Sequence, residues 1–184
     1  MSGSLIKRGF CHIFGDGIPL DEGLIAFKYA IQRVTDPDEL IPHLFEQIDP
    51  DFAKRVKPGD LVVAGKDFAS GKPHVQGFIA MVALKMGLLC ESMPHKSLRR
   101  AVAQGLPVLT GCMGIAGFAK GGHEVEVDFV TGAAKNLTTG AEAQFPAMPP
   151  ILADMVSQGG AGGRLKAWLA DHPELAKSPE MAAG

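Results

Sequence analysis

Lys72 and His74 lie in the stretch Phe68-Ala69-Ser70-Gly71-Lys72-Pro73-His74, a cation and a titratable donor just behind a glycine. These residue types suit the handling of an anion. An ammonium attracts a carboxylate or phosphate, and an imidazole donates, accepts or carries a proton near neutral pH. Gly71 lets the backbone turn tightly, and Pro73 suits the first position of a helix, where its missing N–H costs nothing. A helix starting there would aim unpaired N–H groups and a partial positive charge at the anion. Ser70 adds a hydroxyl, and with His74 it has the residue types of a nucleophile and its base. No Gly-x-Ser-x-Gly elbow surrounds it, however. A plainer alternative stays open, with Lys72 solvated and His74 packed on the surface, because exposed lysine is common.

The remaining candidates are weaker. Asp16 and Asp21 flank Gly17-Ile18-Pro19-Leu20 and either face a site or cap turns. Tyr29, the only tyrosine, shares a segment with Lys28 and Arg33 and is either a ligand contact or an interfacial aromatic. Arg99 and Arg100 precede Gly105 and read as a solvated helix face near a negative C-terminal end. The six histidines show no His-x-x-x-His or mixed Cys/His spacing, which argues against a metal site. The loop also lacks the Gly-x-x-x-x-Gly-Lys-Ser/Thr and Gly-x-Gly-x-x-Gly orders of nucleotide folds.

The elements that must position these residues follow from periodicity. Leu61-Val62-Val63-Ala64 is a short apolar run, typical of a strand covered on both faces. Helical spacing runs from 75 to 86, with Gly87 as a natural C-cap. Leu88-Leu89-Cys90 is strand-like, 94–104 is helical with Gly105 as cap, and Leu106-Pro107-Val108-Leu109 is a further strand. Such alternation predicts parallel crossovers, with ligands gathering at the carboxyl ends of the strands. Upstream, residues 5–27 read as short strand-like pieces broken by Gly15-Asp16-Gly17 and Pro19. Asp36-Pro37-Asp38-Glu39 starts a helix whose apolar face continues through Leu44, Phe45 and Ile48. A second start at Asp49-Pro50-Asp51 leads a shorter helix to Val56. After Gly121-Gly122, residues 123–129 alternate polar and apolar, and Thr131-Gly132 and Thr139-Gly140 punctuate an antiparallel meander. Two C-terminal helices, 149–156 and 165–169, are separated by Gly159-Gly160-Ala161-Gly162-Gly163, and the chain after His172 is expected to be mobile.

The 184 residues predict one domain, 1–175, with a flexible tail at 176–184. A net charge of -2 without a clustered basic excess excludes an obvious nucleic-acid partner. The three scattered cysteines, the absence of an apolar leader and the lack of any membrane-spanning run predict a soluble cytoplasmic protein.

A family resemblance rests on Ile-Asp-Pro-Asp-Phe-Ala-Lys-Arg-Val-Lys-Pro-Gly-Asp-Leu-Val-Val-Ala-Gly-Lys-Asp-Phe at 48–68. It extends from Phe14-Gly15-Asp16 through Gly105-Leu106-Pro107-Val108-Leu109. It then continues into Val125-Glu126-Val127-Asp128-Phe129, Asn136-Leu137-Thr138-Thr139-Gly140 and 145–150. In one order over nearly the whole chain, it resembles the small subunit of 3-isopropylmalate dehydratase, the swivelling-domain subunit of the aconitase superfamily. The resemblance implies an α/β fold, a three-layer β/β/α swivelling domain. It implies a leucine-biosynthesis-like hydro-lyase, in which this chain itself carries no cofactor. A large partner subunit holds a [4Fe-4S] cluster, and the substrate is a small hydroxy di- or tricarboxylic acid.

The departures fall on functional positions. The family writes Phe-Gly-Cys-Gly-Ser-Ser-Arg-Glu-His-Ala where this chain has Phe68-Ala69-Ser70-Gly71-Lys72-Pro73-His74-Val75-Gln76-Gly77. The two serines are thus Lys72 and Pro73, and the arginine is His74. The family's Asp-Thr-Asp is Pro19-Leu20-Asp21, and its Asn-Ala-Ile-Asn is Arg100-Ala101-Val102-Ala103. The substrate-selecting Tyr-Leu loop falls at Tyr29-Ala30-Ile31-Gln32. Proline cannot act as a base, whereas lysine can when burial lowers its pKa. Histidine binds a carboxylate when protonated but lacks arginine's bidentate fork. Two expectations follow. In one, Lys72 and His74 are a re-tooled catalytic pair, with Ser70, Gly71, Pro73, Asp21, Tyr29 and Ile31 contacting substrate. In the other, the domain is a catalytically degenerate binding or regulatory module.

Overall fold

A computed structural model of the chain describes residues 5–72 and 74–175. The elements run β1 (Ile6–Phe14), α1 (Lys28–Ile31), α2 (Pro37–Leu40), a 3-10 turn (Ile41–His43), α3 (Phe52–Arg55), β2 (Leu61–Ala64), α4 (Gln76–Ala83) and β3 (Gly87–Cys90). They continue with α5 (His95–Gln104), β4 (Val108–Leu109), α6 (Ile115–Phe118), β5 (Glu124–Asp128), β6 (Ala133–Asn136), β7 (Glu142–Gln144), α7 (Pro150–Ser157) and α8 (Gly160–Asp171). The seven strands form one sheet in the order β4-β3-β2-β1-β5-β6-β7.

β1 is the seam of this sheet. Its carboxyl half pairs in parallel with β2, from Cys11↔Leu61 to Phe14↔Ala64. Its amino half pairs antiparallel with β5, from Ile6↔Asp128 to Phe10↔Glu124. β1 ends just before the break expected at Gly15-Asp16-Gly17, but 18–27, expected to add further strand-like pieces, forms only isolated bridges, Pro19↔Ser70 and Asp21↔Ile25. The parallel half and the antiparallel meander otherwise follow the predicted alternation.

Successive strand residues face opposite sides, so each side of the parallel half builds its own core. Val62, Ala64, Leu88 and Val108 pack with Leu40, Phe78 and Met81 on the helical side. Leu61, Val63, Leu89 and Leu109 pack with Val125, Val127, Phe129 and Ala134 of the meander. The antiparallel half therefore curls back over the parallel half, giving β, β and α layers as the resemblance implied. Gly87 sits at that contact and opens β3; it does not cap α4, which ends at Ala83. A Cβ there would lie 2.7 Å from Phe129 Cζ and 2.9 Å from Leu61 Cδ2, so close approach of the two β layers requires glycine.

Two helices differ from expectation for local reasons. Asp36 caps α2 as predicted, accepting from Asp38 N at 3.0 Å. The helix stops at Leu40, however, because Pro42 has no N–H and its ring opposes the carbonyl four residues back. The glycine run expected to separate the C-terminal helices instead supplies the first turn of α8. A Cβ on Gly160 would lie 2.3 Å from Ala103 O, so glycine lets α8 begin against the end of α5. Beyond His172, Pro173–Leu175 form a 3-10 turn, and the expected tail at 176–184 lies outside the described residues. Among the described residues no helix is long and apolar enough to cross a membrane.

Cys11, Cys90 and Cys112 are free and buried. Burial pushes each thiol up from 9.0 to about 12. They stay protonated at pH 8, where we expect iodoacetamide to spare them in the folded chain and label them on unfolding; mass spectrometry reads the difference. Below pH 9 both states hold these protons. Between 9 and about 12 only the unfolded thiols lose theirs, so stability falls with rising pH across that window.

Candidate functional site

Loops after β1, β2 and β3 meet at the carboxyl ends of the parallel strands, where the sequence places the anion-handling stretch. Backbone hydrogen bonds stitch the first two together: Gly17 N to Lys66 O at 2.8 Å, Ala69 N to Ile18 O at 2.7 Å, and Leu20 N to Ser70 O at 2.8 Å. Asp16 Oδ1 accepts from Lys66 N at 2.7 Å, which makes Asp16 a fastener between loops. The third loop contributes Ser92, whose O accepts from Phe68 N at 3.0 Å and whose Oγ accepts from Asp67 N at 2.9 Å. Fully buried Ser97, in α5, donates its hydroxyl to Ala69 O at 2.5 Å.

These bonds hold a costly backbone. Asp67, Ala69 and Gly71 take φ of 55°, 59° and 100°. Only the glycine does so freely; a side chain in this region costs about 1–2 kcal/mol. The resembling family writes glycine at the Ala69 position, and the structure shows why. Ala69→Gly relieves that strain but adds freedom to the unfolded chain, so we expect a net gain of about 0.5–1 kcal/mol. A higher urea midpoint at unchanged m-value checks it.

The loop brings His74 to Asp21. Their Nδ1 and Oδ1 are 2.7 Å apart, and the two side chains are 28% and 27% exposed. An ionised carboxylate only accepts, so Nδ1 carries the hydrogen and Nε2 is the atom left for a ligand. Phe27 lies against His74, with ring centroids 5.2 Å apart. It precedes α1 directly, and Ile31 lies one turn further along the same helix face. Both are exposed and form an apolar rim beside the imidazole. Lys72 is exposed next to Gly71, so this chain does not itself supply the burial that would make the lysine a base. Ser70 holds the loop through its backbone carbonyl.

Tyr29 faces inward, with its ring stacked on His43 at 5.1 Å, and supports α1 from beneath. The helix after the loop begins at Gln76, further on than Pro73 implied, and Pro73 itself lies outside the described residues. Arg99 and Arg100 are exposed on α5, as a solvated face predicts. Among the described residues no group of three His, Cys, Asp or Glu side chains is gathered to hold a metal.

No family model matches the chain. Curated relatives do. It is 34% identical to the 3-isopropylmalate dehydratase small subunit of Moorella thermoacetica over 157 residues, covering 85% of this chain and 92% of that protein. It is 32% identical to the isopropylmalate/citramalate isomerase small subunit of Methanocaldococcus jannaschii, covering 90% and 97%. The chain belongs to the 3-isopropylmalate dehydratase small-subunit family. A crystal structure of 3-isopropylmalate dehydratase from Methanocaldococcus jannaschii superposes with a TM-score of 0.81 at 26% identity, over 93% of this chain and 99% of that one. The family's swivelling-domain fold therefore extends over 93% of this chain.

In this chain, crossing backbone hydrogen bonds hold the loop that carries Lys72 and His74. The sequence singled out Asp21 and His74 separately, and the fold joins them. Phe27 escaped notice; its one signal was an apolar side chain a helical turn before Ile31.

Proposed function

We propose that this chain is the small subunit of an aconitase-superfamily hydro-lyase acting in the cytoplasm. Together with a large subunit, it removes and restores water on a small hydroxy di- or tricarboxylic acid. The His74–Asp21 pair on the crossed loops after β1 and β2 is the observation that carries this reading. Relatives named as small subunits support a large partner.

The family's [4Fe-4S] cluster does not fit this chain, whose three thiols are buried and held protonated. We assign the cluster to the large subunit, where it would supply Lewis acidity toward a hydroxyl. This chain's part is binding and proton handling. The Lys72 ammonium meets a substrate carboxylate in place of the family's arginine fork. His74 Nε2 takes and returns the proton on carbon, and Asp21 fixes the tautomer and steadies the imidazolium. Gly71 and Ser70 let the acid approach the backbone closely. Phe27 and Ile31 border its apolar side, with Tyr29 holding α1 in place.

Co-expression with a three-cysteine large subunit, anaerobic purification and a panel of malate- and citrate-like acids test this. Turnover of one or more panel acids by the complex is expected, and Lys72→Met should abolish it while leaving assembly intact. A complex that assembles yet turns over nothing in the panel would instead favour the degenerate binding module. Undiminished turnover in Lys72→Met removes the lysine from the reaction.

A further inference from the structure

The helix α8 buries little of itself. Of its 12 residues only Gly160 is buried, where it meets the end of α5. A helix of this length is marginal alone in water, and Gly162 and Gly163 weaken it further. Its exposed side chains are nevertheless not all polar. Leu165 and Trp168 are 56% and 46% exposed, and Ala161 is exposed one turn before them. The His172 ring continues the stripe by stacking on the indole, with centroids 4.3 Å apart and planes at 19°. With 3.6 residues per turn, positions 161, 165, 168 and 172 fall within about 60° of one another around the axis. Steps of four, three and four are those of a coiled-coil seam.

Two charges border one edge of this stripe. Arg164 and Asp171 are seven residues apart, about two turns, and so lie on the same side of it. Asp171 is exposed and joins no ion pair among the described residues. Arg164 reaches Asp154 at 3.7 Å through Nη1 and has further N–H donors to offer a second carboxylate. The edge therefore complements its own image. A twofold axis crossing α8 midway between 164 and 171 lays a second copy antiparallel and brings the same edges together. Each Arg164 then meets the partner's Asp171, the two indoles meet at the axis, and Leu165 packs toward the partner's His172. A parallel pair would bring opposite edges together and leave both charges unmatched. A partner surface of one sign would attract one of the two and repel the other.

We propose that α8 is a self-association surface, through which two copies of this chain pair antiparallel along the Leu165–Trp168 stripe. The occupant of the stripe is the same stripe of a second copy. The helix is about 18 Å long, so the contact is small and the dimer dissociates at micromolar concentration or above. The proposal does not depend on the hydro-lyase reading, because it concerns the surface of α8 and is read on the chain without its large subunit.

Sedimentation equilibrium of the full chain, from micromolar to millimolar concentration, tests it. A monomer–dimer equilibrium is expected. Trp168 is the chain's single tryptophan, so its emission should move to shorter wavelength as the dimer forms. Trp168→Glu should abolish dimerisation. Arg164→Glu and Asp171→Arg should each weaken it about tenfold, because each turns two attractions across the axis into repulsions. The double variant Arg164→Glu/Asp171→Arg exchanges the charges and should restore affinity to within about twofold. All three positions are exposed, and an unchanged Tm in dilute solution confirms that the variants fold. A chain that stays monomeric throughout, including one whose Trp168 is shielded only when the large subunit is added, overturns the proposal. So does a dimer that survives Trp168→Glu, or a double variant no tighter than the single ones.

Discussion

His74→Gln is expected to lower kcat of the reconstituted complex by about 10²–10⁴-fold, the range supplied by a positioned acid–base group. Glutamine keeps a polar side chain near Asp21 but cannot shuttle a proton, so substrate affinity should change far less than turnover. Asp21→Asn separates positioning from catalysis. The amide can face Nδ1 with its oxygen or its NH₂, so it no longer dictates the tautomer or steadies a charged ring. We expect kcat to fall with KM nearly constant, and by less than in His74→Gln. Steady-state kinetics on a panel acid, with complex formation checked by gel filtration, reads both variants. Full activity in His74→Gln would exclude the histidine as the proton carrier and leave Lys72 as this chain's candidate.

The separation of 53 residues between Asp21 and His74 marks the limit of what sequence could reveal about the site. Each was legible as a candidate, because an acid in a turn and a histidine behind a glycine are local signals. Their contact depends on Leu20 N reaching Ser70 O and Ala69 N reaching Ile18 O, long-range bonds without a sequence signature. Elements set by local physics were readable: the Asp36 cap, the all-apolar Leu61–Ala64 strand and the left-handed Gly105 cap at φ 95°. Glycines were legible where φ decides and misleading where packing decides. Gly87 resembles a C-cap only until Phe129 arrives over it from the meander, and Gly160 resembles a linker only until α8 meets α5. Pro42 is a local signal for an early helix end, but the apolar spacing that continues through Phe45 masks it. The chemistry of the loop was legible chiefly through the family resemblance, which supplied both the framework and the departures at Lys72, Pro73 and His74.

Phe45→Ala is expected to cost about 3–5 kcal/mol, the upper range for truncating one core side chain. Phe45 is fully buried, stacks on Phe14 at 4.1 Å, meets Phe52 edge-on at 4.8 Å and lies 6.5 Å from Phe68. Phe14 ends β1 just before the Asp16–Asp21 loop, and Phe68 opens the loop that carries Lys72 and His74. One ring thus supports both halves of the site from below. Its backbone is held at φ 58°, with Phe45 N donating to Leu24 O at 2.7 Å. That conformation costs about 1–2 kcal/mol for a residue with a side chain. The position is kept because burying the ring outweighs the strain, and alanine would retain the strain while losing the ring. For a domain of this size the loss corresponds to a fall in Tm of about 10 °C. Phe45→Leu keeps most of the volume and should lose only about 1–2 kcal/mol. Equal losses in the two variants would place the stabilisation in the Phe45 backbone bond rather than in the aromatic cluster. If the cluster holds the loops, Phe45→Ala complexes assayed well below their Tm should also lose turnover, while the milder Phe45→Leu keeps it.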